Sequence, residues 1–239
     1  MQNTKTSQPG YFLFIAITGI IAVLIGFGKT FIVPSYAGTF VAPTAVYIHG
    51  AFAFSWIVLF LIQTLLIRFS KYGVHMTLGI FGVFIAIGAA VTMLPAGMYA
   101  AHKELEQGFG DTAISGILGV VTSAIMFLSL VLAAVYNRKK AATHKRLMLL
   151  ATLVVLWPAW FRFRHYFPSV SRPDIWFAVV LADIWIIISC IWDKWKNGRI
   201  HPVFKYAGSF IIAEHTFEVL CFDSPAWRTT AKFIFQLLS

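Results

Sequence analysis

Apolar residues run through this chain in long blocks separated by short polar or Pro/Gly-rich breaks. The blocks cover 11–33, 45–67, 75–98, 112–136, 146–166, 174–193 and 203–222. Each is close to the ~20 residues that carry a helix across a hydrocarbon core. The breaks fall at Pro34 and Gly38, Lys71-Tyr72-Gly73, the polar 102–111 stretch, Asn137 to Lys140, Pro168 to Pro173, and Asn197-Gly198 with Pro202. The pattern predicts an all-α polytopic membrane bundle of about seven transmembrane helices, one domain over 1–239. The segment 225–239 is too short to span. It places Arg228 and Lys232 one turn apart, with Trp227, Phe233, Ile234, Leu237 and Leu238 as apolar area. It reads as an interfacial amphipathic helix.

Composition agrees. Of 239 residues, 59% are hydrophobic and 12% charged, and the mean hydropathy is +0.79. A soluble domain carries about 25% charged residues. The first apolar run, Tyr11 to Val33, is longer than the ~7–15 residues of a signal-peptide core, so it reads as a retained helix.

The formal charge of +10 implies no nucleic-acid partner, because the basic residues sit in short loops. They set orientation instead. With the amino terminus inside, Lys5, Arg68, Lys71, Arg138, Lys139, Lys140, Lys145, Arg146, Lys194, Lys196, Arg199 and Lys205 lie on the cytoplasmic side, twelve of nineteen. The expectation is N-in and C-out in a bacterial inner membrane, with the lipid bilayer and candidate protein partners around it. Trp157, Trp160, Trp176, Trp192 and Trp195 fall near span ends, as aromatic belts do. Cys190 and Cys221 lie in apolar segments and form no metal or disulfide motif.

Candidate chemistry gathers at both faces. At the inner face, His75 opens the third span and His144 precedes the fifth. Gly79, Gly82, Ala86 and Ala89 follow His75 on its own helix face, a smooth strip for a neighbouring backbone or a flat ring. Ser115, Gly119, Thr122, Met126, Ser129 and Ala133 form a similar strip on the fourth helix. One reading is haem b held between axial histidines. The other is ordinary helix packing, with the histidines meeting headgroups. Toward the outer face, His49, Trp56 and Gln63 recur at heptad spacing and project along one side. Pro158 removes a backbone donor and predicts a kink before Arg162, Arg164 and His165. Asp183 lies mid-span and needs a cation, a proton or a wet cavity, with Arg162 the first candidate partner. Glu214 and Glu218 share one face of the last span, with His215 about 100° round from Glu214. That set suits a metal ion, a proton relay, or an interfacial helix with these residues in water. His102 reads as solvated, and His201-Pro202 as a helix start.

Two stretches carry a resemblance. His49-Gly50, Trp56, Gln63 through Arg68, and His75 with Leu78-Gly79 form the first; Thr143-His144-Lys145-Arg146-Leu147-Met148 through Arg162 form the second. They resemble a large group of bacterial multi-helix membrane proteins classed as domains of unknown function. Gly198 to Pro202 and Ser224 to Trp227 look like punctuation of the same group. The resemblance implies the helical fold and the use of His49, His75, His144 and His201, and it implies no activity. Glu214, His215 and Glu218 do not match its pattern. The histidine layout is also similar, in position only, to b561-type di-haem cytochromes.

Walker, dinucleotide-binding, HExxH and GxSxG motifs do not occur. The expectation is a redox-type membrane protein that binds haem b or a transition metal and moves electrons. His75, His144, His49 and His165 would bind the cofactor, and Glu214, His215 and Glu218 are the candidate metal group. Two alternatives stand beside it: an accessory subunit of a larger membrane complex, and a proton or ion pathway through Asp183, Glu214 and Glu218.

Overall fold

The computed structural model describes residues 9–239, so Lys5, counted above toward orientation, lies outside the described residues. Among them the chain is helical and holds no strand. The elements are α1 (Pro9–Phe27), continued by a π turn at Gly28–Ile32 and a short turn at Val33–Tyr36; α2 (Thr44–Arg68); α3 (Tyr72–Glu106); α4 (Asp111–Tyr136); and α5 (Ala141–Phe161), which tightens to a 3₁₀ turn at Arg162–His165. A π turn at Asp174–Val180 leads into α6 (Leu181–Asn197), another at Phe204–Gly208 leads into α7 (Ser209–Cys221), and α8 (Pro225–Leu238) closes the chain.

Six helical stretches are long and apolar enough to cross a membrane: Gly10–Tyr36, Thr44–Arg68, Tyr72–Glu106, Asp111–Tyr136, Ala141–His165 and Asp174–Asn197. The stretch through α7 is not among them, because it carries Lys205, Glu214 and Glu218.

Boundaries follow local chemistry. Gly110 (φ 59°) turns the chain into α4, and Gly198 (φ 73°) ends α6 in the left-handed conformation that glycine tolerates. Lys194 and Lys196 sit in the last turn of α6, where cations favour the helix dipole. Two ends differ from the sequence pattern. α3 runs on past 98 to Glu106 because Ala, Lys and Glu are good helix formers there, and Pro95 sits inside it. α5 starts at Ala141 rather than near Arg146, and Pro158 lies inside it without ending it.

Neighbours in sequence are neighbours in space: α2 packs on α3, α3 on α4 and α4 on α5. α1 packs against α2 and α5, α6 against α5, and α8 against α4. α5 is the hub, with 61% of its apolar window buried against 22% for α2 and for α3. Close approach relies on small residues, as in other membrane bundles. A Cβ on Gly26 of α1 would collide with the Ala159 carbonyl of α5, and one on Gly19 would lie 2.9 Å from Leu156. Outward faces are apolar: Ile80, Phe81, Phe84 and Val91 of α3 are all exposed. At the amino-terminal end of the bundle, Tyr11 of α1 stacks on Trp192 of α6, centroids 4.3 Å apart. At the opposite end α8 is clasped to α4. Asp223 accepts from Thr112 (2.8 Å), Ser115 (2.6 Å) and Arg228, and Lys232 pairs with Asp111 at 2.6 Å. The Arg228 guanidinium first, then the two hydroxyls, hold the Asp223 carboxyl far below the usual carboxylate range. α8 is thus a strap on the bundle as well as an amphipathic helix.

Candidate functional site

Two groups of ionisable side chains from different helices carry the candidate chemistry read from the sequence. The first joins α6 and α7. Ala182, Asp183, Ile186, Ser189 and Asp193 make the buried face of α6, so Asp183 projects inward. His215, 3% exposed, meets it from α7, with Nδ1 2.8 Å from Asp183 Oδ1. Glu214 Oε2 is 4.0 Å from His215 Nε2, on the ring's other side. Glu218 reaches α4 at Gly119, where a Cβ would collide with its carboxylate oxygen Oε1. Glycine there makes room for the acid. Asp183 Oδ2, His215 Nε2 and Glu214 Oε2 are buried without hydrogen-bond partners among the described residues. Buried polar atoms of this kind are a minority in folded proteins, and a bound water, an ion, strain or chemistry accounts for them. Trp157 borders the cluster, its ring centroid 6.1 Å from that of His215.

The partner of Asp183 is therefore His215. Arg162, expected there, instead donates to the Pro158 carbonyl at 3.0 Å and lies over the Phe27 ring at 4.2 Å. That carbonyl, one turn back on the same helix, and the aromatic face satisfy it locally.

The second cluster is at the amino-terminal end. The His75 and His144 rings lie edge to face with centroids 6.5 Å apart. His144 Nδ1 donates to the Ala134 carbonyl at 2.9 Å, which leaves Nε2 free. Gln63 donates to the His75 carbonyl at 3.2 Å, and His75 Nδ1 is buried without a partner. The small-residue strip that starts at His75 does not fit a porphyrin. A Cβ on Gly82 would lie 2.9 Å from Leu59 of α2, and Ala86 and Ala89 are fully buried. A helix fills the groove.

The remaining candidates are spread out. His49 donates from Nδ1 to Thr92 Oγ1 at 3.2 Å, since the Thr92 hydroxyl proton goes to the Gly88 carbonyl at 2.6 Å. Trp56, in the same stripe, donates to Thr152 of α5 at 3.3 Å. His165 is exposed, and its carbonyl accepts from Lys29 at 3.1 Å. His102 is exposed, with Nδ1 2.8 Å from the Met98 carbonyl. Among the described residues no three His, Cys, Asp or Glu side chains converge as a metal group, Glu214, His215 and Glu218 included.

One pair escaped the reading of the sequence. Arg146 and Asp193 form an ion pair with side chains 5% and 0% exposed. Asp193 also accepts from Asn197 and from the His201 backbone N–H, both at 2.7 Å. The signal was present, because Asp193 interrupts an apolar helix as Asp183 does. Arg146 was read as an orienting charge and as part of a helix-start motif, not as a partner for Asp193.

Comparison with protein-family models, with curated proteins and with solved structures finds no match to this chain.

Proposed function

We propose that this protein is a multi-pass membrane protein that carries protons through the Asp183–His215–Glu214–Glu218 cluster. The carrying observation is the buried 2.8 Å contact between His215 Nδ1 and Asp183, with Glu214 on the Nε2 side. An imidazole can take a proton at one nitrogen and release one from the other. A proton delivered to Nε2 from the Glu214 or Glu218 side makes imidazolium. Loss of the Nδ1 proton to the Asp183 carboxylate then leaves the other neutral tautomer, and ring rotation or back-transfer resets it. Charge inside a membrane protein is costly and is retained where it is used. In this reading α7 with its preceding π turn is the seventh span, the amino terminus is cytoplasmic, and the membrane is a bacterial inner membrane.

The test is proton flux in liposomes that hold the purified protein and an internal pH dye, driven by a potassium diffusion potential. Asp183→Asn and His215→Gln are each expected to reduce flux to that of empty liposomes. Wild-type flux in folded Asp183→Asn protein would overturn the proposal.

A second reading has its own observation. His75 and His144, 6.5 Å apart with His144 held by the Ala134 carbonyl, favour a bound transition metal and a redox role. Metal analysis and an absorption spectrum of the purified protein test it. Protein free of metal and of visible absorbance that still has full activity would end it.

A further inference from the structure

The amino-terminal end of the bundle holds a cleft of about 340 Å³ that the proton cluster does not use. Lys145, Arg146, Asp193, Asn197, Arg199 and His201 line it, with Ala142 from the first turn of α5. Asp193 is the sole carboxylate in that wall, and it is fully engaged by Arg146, Asn197 and the His201 backbone. Arg146 is held in turn, since its remaining arm donates to the Ala142 carbonyl at 2.7 Å. The buried pair is therefore a fixed wall.

Among the described residues the other basic groups form no ion pair. Lys145 has no carboxylate or hydrogen-bond partner among the described residues, and its ammonium lies 5.3 Å from the Phe12 ring centroid. Arg199 is exposed on the cleft rim and likewise unpaired among them. His201 Nδ1 accepts from the Val203 N–H at 3.2 Å, so the single proton of the neutral ring is on Nε2. Burial first, then the Arg146 guanidinium, hold that imidazole below its usual pKa. The start of α5 adds the positive end of a 21-residue helix. Two free cations, an N–H donor and a helix N-terminus surround a space whose one acid is already neutralised.

We infer that this cleft is an oxyanion site that binds phosphate, carried by a lipid headgroup or free in solution. Lys145 and Arg199 supply the charge, His201 Nε2–H a directed donor, and Arg146 the rigid floor. The stacked Tyr11 and Trp192 at the same end belong at headgroup depth.

The test uses the full-length protein in uncharged detergent, with thermal unfolding followed by tryptophan fluorescence. One arm titrates inorganic phosphate against chloride at constant ionic strength. The other adds phosphatidylglycerol against phosphatidylcholine. A rise in melting temperature in either arm is expected, and the arm that responds names the source. In the double variant Lys145→Gln/Arg199→Gln, the melting temperature without probe is expected to stay near wild type. The probe concentration for half the rise should move up about tenfold or more. Lys103→Gln, far from the cleft, should respond as wild type does. The inference is overturned by no rise in either arm, an unchanged response in the double variant, or an equal loss in Lys103→Gln.

Discussion

Asp183 and Asp193 sit on the same buried face of one helix, yet they have opposite surroundings. Asp193 has an arginine, an amide and a backbone N–H, so every oxygen is bound and the charge is matched. Asp183 has one imidazole on one oxygen, and its other oxygen is unpartnered. A guanidinium does not give up its proton, so the first carboxylate is locked as an anion. An imidazole gains and loses a proton near neutral pH, so the second can change state. The contrast teaches that burial alone does not mark a working carboxylate. The identity of its partner does.

The largest expected effect separates the two. Asp193→Asn leaves Arg146 buried without a counter-charge, and removing one partner of a buried pair costs about 3–5 kcal/mol. Thermal melts of the purified protein should show that loss. Asp183→Asn keeps an acceptor oxygen for the His215 Nδ1–H and should cost only about 1 kcal/mol. Equal destabilisation by the two substitutions would break the comparison.

His215→Gln sharpens it further. Glutamine can donate to Asp183 through its amide but cannot relay a proton, so folding should survive while flux is lost. Gly119→Ala is a subtler probe. Its methyl meets only the mobile end of Glu218, so the melt should change little. Flux should fall by less than in His215→Gln, because the carboxylate is displaced rather than removed.

The smallest effect is at the strap. The Asp223 carboxyl has a depressed pKa when folded, so its contribution is fully present above the ordinary carboxylate range and lost only as pH falls through the lower folded value. Protease access to 225–238 should therefore be flat from neutral pH down to about pH 5. Asp223→Asn should raise that access at all pH values in this range. A rise in access to wild-type α8 near neutral pH would show that another group holds it.

Much of the fold was legible because lipid imposes a simple rule: long apolar runs become helices. The blocks 45–67 and 112–136 match α2 and α4 within one residue at each end. Polar segments were harder to place. Residues 99–106 and 141–145 are helical because they are good helix formers beside an existing helix, and apolar content is blind to that. The site was partly legible. Asp183, His215, Glu214 and Glu218 stood out as costly in an apolar span, but their pairing depends on which helices meet. Arg162 was a sensible partner for Asp183 by depth, and it is satisfied instead by the Pro158 carbonyl one turn back and by Phe27. The glycine strip after His75 read as room for a ring, and α2 occupies it.

The touching backbones of Gly26 and Ala159 have a consequence for how the chain is made. The two residues are far apart in synthesis order, and ribosomes add about 5–20 residues per second. The glycine surface of α1 therefore waits on the order of ten seconds for its mate. During that interval α2, which also packs against α1, is already made, and lipid or the insertion machinery meets what α2 leaves uncovered.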